Sequence, residues 1–178
     1  MLKIFSVIGA VVVAGIAVVL VVAAMRPDQF RVQRSAAIKA SPERIFPLIA
    51  DFKAWAAWSP YENKDPAMKR TYGPSTRGKG ASYAWDGDSN VGAGNMLITD
   101  APSPSNVVLD LNMTRPITAH NKVEFTLTPA GDSTTVTWAM RGEVPYFAKI
   151  IHVFFNMDKM VGGDFEAGLV KLKAAAEK

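Results

Sequence analysis

The 178 residues predict an α+β domain behind one membrane-spanning helix. Three observations carry that expectation. The stretch Ile4–Met25 is apolar and uncharged, with Ser6 its one polar side chain. Between Met68 and Glu143, short alternating runs are broken by Gly, Pro, Asn and Asp, the pattern of an antiparallel meander. The last segment places Phe147, Ile150, Ile151, Phe154, Met157, Val161, Phe165, Leu169 and Leu172 at helical spacing. The length suits one well-buried core rather than two.

At ~1.5 Å per residue the Ile4–Met25 helix is roughly 33 Å long, enough to cross a hydrocarbon core of ~30 Å. A signal peptide is the competing reading, since Lys3 and Val22-Ala23-Ala24 could serve as its start and cleavage site. Its apolar core usually runs only ~7 to 15 residues, so the anchor is preferred. The chain then reads as an anchor and linker over 1–28 and a folded domain over 29–178. Arg26, Arg31 and Arg34 favour a cytoplasmic domain by charge, yet a large domain can be translocated regardless. A single-pass membrane protein with its domain outside the cytoplasm is the expectation.

Arg26-Pro27-Asp28 cannot continue the apolar helix and forms the linker. "FRVQRSAAI" alternates as a strand from Phe30 to Ile38, with Arg34 an odd member of the inward set. Ser41, Pro42 and Glu43 form a helix start, with Ser41 as N-cap, and Pro47 keeps that helix short or kinked through Ile49. A second short helix is expected from Phe52 to Trp58, ended before Pro60. Six strands follow near 69–72, 81–86, 92–99, 107–114, 121–128 and 134–143. The final segment reads as one long helix, with Gly162-Gly163 marking a bend or a close neighbour.

Composition excludes several functions. No cysteine is present, so thiol chemistry and disulfides are ruled out. Setting Lys3 aside leaves 19 basic against 16 acidic side chains, a balance of +3, and Lys69-Arg70 is the one adjacent basic pair. No nucleic-acid partner is expected from so weak a track. His120 and His152 lack a second ligand at metal spacing, and the Asp86–Gly92 loop has Val91 where a calcium loop needs glycine, so no metal and no cofactor are implied. On the three clearest strands Asp110, Asn112, Glu124, Thr126, Thr135 and Arg141 fall opposite the apolar face. No catalytic residue is assigned; Glu62, Asp65 and His120 are the available proton-moving groups, with a solvated loop the ordinary reading of the first two.

The stretches "ASPERIFPLIADFKAWAAWSPYE" and "NMDKMVGGDFEAGLVKLK" resemble the helix-grip domains of the START-like, or SRPBCC, superfamily of polyketide cyclase/dehydrase and lipid-transport type, in particular its membrane-anchored bacterial members. The likeness runs from about Phe30 to Ala176. It implies a curved sheet of about seven strands wrapped on the C-terminal helix, with a cavity between them closed by the short helices. Trp58, Trp85, Met96, Leu111, Met113, Phe125, Trp138, Met140 and Phe155 would line it, filling a closed core being the other role open to each. The implied function is membrane-tethered binding of a hydrophobic small molecule or lipid. A cyclase- or hydrolase-type enzyme and an interaction module with a filled core are the alternatives.

Overall fold

The computed structural model describes residues 2–154 and 156–178, so the expectation placed on Phe155 lies outside the described residues. Its elements are α1 (Leu2–Ala24), β1 (Gln29–Ile38), α2 (Pro42–Ala50), 3₁₀ turns over Phe52–Ala57 and Pro60–Asn63, then β2 (Lys69–Tyr72), β3 (Ser82–Asp86), β4 (Ala93–Asp100), β5 (Asn106–Arg115), β6 (Ala119–Ala130) and β7 (Ser133–Glu143), and finally α3 (Tyr146–Phe154) and α4 (Met157–Ala176). The strands form one antiparallel sheet in the order β1-β7-β6-β5-β4-β3-β2. Strand bounds fall within two residues of those expected, because alternation and turn residues are local signals.

Register turns the alternation into a core. Val32, Met140, Val123, Leu109 and Ile98 lie side by side across five strands, and all are buried. The neighbouring row runs Arg34, Trp138, Phe125, Val107. α4 covers this face through Phe165, Leu169 and Leu172, each buried.

Arg34, the odd inward residue, is explained by α4. Its guanidinium reaches Asp158 at 2.8 Å and Glu166 at 2.6 Å. Those carboxylates hold Arg34 further into its charged form, and Arg34 in turn holds Asp158 below the usual carboxylate range. Gly162 faces the same guanidinium, and a Cβ there would collide with it. The glycine pair is therefore one close approach: a Cβ on Gly163 would meet nothing within 4 Å.

Two local expectations are corrected. Ser41 sits at the N-cap of α2 but its side chain makes no capping bond. The final segment is two helices, one ending at Phe154 and the next running from Met157 straight through the glycines. Asn156 starts the second, its Oδ1 accepting from the Lys159 amide at 3.2 Å.

Candidate functional site

Where the sequence led us to expect a cavity, aromatic rings pack against one another. Trp58 is fully buried, with ring centroids 5.9 Å from Phe125 and 5.6 Å from Trp138, both near perpendicular. Trp138 stacks on Phe165 of α4 at 4.0 Å. The indoles of Trp55 and Trp58 donate to the Ile49 and Leu48 carbonyls at 2.9 and 2.7 Å, pinning the 3₁₀ turn to α2. Offset and edge-on ring pairs of this kind are favourable packing. Met96 and Met140 are buried in the same cluster; Trp85, Leu111 and Met113 are partly buried. None of these eight residues lines the open groove described next. Helical spacing identified a shared face for the tryptophans, but it could not say what stands opposite that face.

An open groove of about 1420 Å³ lies at the far end of the sheet, between the strand ends and α3. One wall is apolar: Phe147 and Ile151 of α3, Met157 and Met160 of α4, and Ile117 in the β5–β6 turn. The other is polar, made by Asp110, Asn112, His120, Lys122, Arg141 and Glu143. Backbone and charge position α3 to form it. The Val144 amide donates to the Asp28 carbonyl at 2.7 Å, Pro145 begins the turn, and buried Lys149 pairs with the Asp28 carboxylate. Tyr146 Oη donates to the Leu20 carbonyl of α1 at 2.9 Å, so α3 is braced against the apolar helix.

Charge in the polar wall follows from register. Arg31, Arg141, Lys122 and Asp110 stand directly across from one another on four strands. Like charges set opposite each other oppose pairing, and only Lys122 has an acid within reach, Asp110 at 3.3 Å, among the described residues. His120 Nδ1 lies 2.7 Å from Asn112 Oδ1. His152 also lines the groove, where burial, with the Arg26 cation beside it, holds its imidazole below the ordinary range.

The other proposed proton carriers are occupied elsewhere. Glu62 is no solvated loop residue: its side chain is 9% exposed and accepts from Arg70 Nε at 2.6 Å and Tyr83 Oη at 3.0 Å. Burial, then the Glu62 charge, pushes the Tyr83 phenol well up. Asp65 accepts from the Ala67 and Asp88 amides at 3.0 and 2.9 Å, tying the loop to the β3–β4 turn. Of the three candidates, His120 alone lines the groove. The apolar wall was missed because Phe147, Ile151 and Met157 were assigned to the buried face of one long helix; Asn156 was the signal that could have divided it.

α1 contains an 18-residue window, Val7–Ala24, long and apolar enough to cross a membrane, a property a signal sequence shares.

The geometry has known counterparts. Among solved structures, protein CV1439 from Chromobacterium violaceum is similar at a TM-score of 0.59 and 13% identity, over 86% of this chain and 99% of that one. The Aha1 dimer from Colwellia psychrerythraea gives 0.57 and 16%, over 83% and 96%. Protein MLL2253 from Mesorhizobium loti gives 0.57 and 16%, over 82% and 96%. At such identities the likeness concerns fold. No curated protein matches the chain. Residues 29–177 match the family model described as polyketide cyclase / dehydrase and lipid transport, and the chain belongs to that family.

Proposed function

We propose that the protein is a membrane-tethered binder of a hydrophobic or amphipathic small molecule, most simply a lipid, held in the groove beside α3. The observation that supports this is the division of the groove's walls. An apolar body could lie along Phe147, Ile151, Met157 and Met160, where burial is worth ~25 cal/mol per Å². A polar end could meet Lys122, Arg141 and His120. A few placed polar groups on a mainly apolar wall are the usual build of a small-molecule site. With α1 as an anchor, such a ligand would be drawn from the adjoining leaflet.

The test is native mass spectrometry of the full chain after incubation with membrane lipid extract. A retained lipid is expected, and Ala148→Trp, which projects a ring from the groove wall, should abolish retention. Trp58→Phe should leave it unchanged, because that ring packs in the aromatic cluster and does not line the groove. No retained ligand, or retention undiminished by Ala148→Trp, would refute the assignment.

A further inference from the structure

We infer that α3 is a second membrane element, lying along the bilayer surface with its apolar stripe among the lipid chains at the level where α1 leaves them. This rests on α1 being an anchor, as proposed above, but not on any ligand in the groove.

The depth comes from one contact. Tyr146 Oη donates to the carbonyl of Leu20, and Leu20 lies four residues before the end of the apolar window at Ala24. At 1.5 Å per residue that carbonyl sits ~6 Å inside the end of the span. Packing against α1 therefore carries the start of α3 into the layer where amphipathic helices settle, ~5–10 Å below the headgroup boundary. Tyrosine with its ring in the apolar layer and its hydroxyl bonded is the residue expected there.

The faces of α3 agree. Phe147, Ile151 and Phe154 fall on one stripe, at positions i, i+4 and i+7, and are 54%, 39% and 68% exposed. The domain-facing side instead carries Lys149, 6% exposed and paired with Asp28. Three large apolar side chains bared along one nine-residue helix are poorly accounted for by water. Ile117 and Met160, 49% and 59% exposed, extend the bare surface across the groove. Lipid is the occupant because α3 packs against α1, whose apolar residues are exposed from Val7 to Val18 and again at Leu20 and Val21. The groove's apolar wall and the leaflet would then share one surface, and a lipid could slide between them without crossing water.

The absence of native cysteine permits a direct test. The full chain is reconstituted in phosphatidylcholine/phosphatidylglycerol vesicles with single fluorophores at Phe147→Cys, Ile151→Cys or Phe154→Cys. Val13→Cys marks α1, and Asp132→Cys marks the distant β6–β7 turn. The proposal expects loss of emission with bromine-labelled acyl chains and protection from aqueous iodide at all three α3 sites and at Val13, with the reverse at Asp132. Iodide quenching at the α3 sites while Val13 stays in lipid overturns the inference and leaves the anchor standing. Protection from both quenchers means protein covers the stripe, and also overturns it. Iodide quenching at Val13 removes the anchor and this inference with it. Each α3 substitution is at an exposed side chain, and circular dichroism matching the parent confirms a folded sample.

Discussion

Replacing Trp58 with alanine separates a filled core from a cavity wall. The ring is fully buried, and its centroid lies 5.1 Å from Trp55, 5.9 Å from Phe125 and 5.6 Å from Trp138. Removing a buried tryptophan side chain costs ~3–5 kcal/mol when surrounding groups cannot close the space. The lost bond to the Leu48 carbonyl adds about 1 kcal/mol, the low end because Leu48 is only half-buried and water can reach it. The expected loss is therefore about 4–6 kcal/mol, a large share of the ~5–15 kcal/mol typical of a domain. Trp58→Phe keeps a ring and should cost about 1–2 kcal/mol, from the bond and the smaller area. Urea unfolding of the full chain in detergent, followed by far-ultraviolet circular dichroism, reads both. Ile151→Ala, in the groove wall, is the control and should change stability by under ~1 kcal/mol. A Trp58→Ala loss below ~1 kcal/mol, together with lost lipid retention, would show that the ring borders empty space and that the filled-core reasoning is wrong.

The two adjacent glycines of α4 should respond in opposite directions. Gly162→Ala forces the Arg34 guanidinium away from Asp158 and Glu166 and should lower the urea midpoint, whereas Gly163→Ala meets open space and should stabilise by ~0.5–1 kcal/mol; urea midpoints of both variants check this. Glu62→Gln removes the charge that Arg70 and Tyr83 share and should cost about 1–3 kcal/mol, and an unchanged midpoint would mean that water already satisfies that cluster. Alkaline titration tests the phenols. Burial raises Tyr61 and Tyr83 above the ordinary value, with Asp164 and Glu62 adding to it. The folded state thus holds these protons more tightly than the unfolded chain, so their contribution is complete below pH ~10 and is lost as pH rises through the folded values. Phenolate absorbance should appear at higher pH in the folded protein than in urea, and coincident curves would refute the assignment.

Much of the molecule was legible before folding was considered. Alternation at Val107, Leu109, Leu111 and Met113 indicated a strand and its inward face, because a strand's geometry repeats every two residues whatever surrounds it. The uncharged stretch before Arg26 identified α1 by length and composition alone. Even the anomaly at Arg34 was visible, although its partners were not: Asp158 and Glu166 are more than a hundred positions away in the chain and meet it only across the gap Gly162 leaves.

Other decisions belonged to the assembled fold. Periodicity shows that Trp55 and Trp58 share a face but not whether that face meets a ligand or Phe125, Trp138 and Phe165. It also runs unbroken through Phe147, Phe154, Val161 and Leu169, so a helix against α1 and a helix on the sheet look alike in one dimension. Local sequence sets which side of each element is apolar, because that depends on backbone repeat alone. What covers each apolar side depends on contacts between distant segments, and those placed the groove at α3 rather than beneath α4.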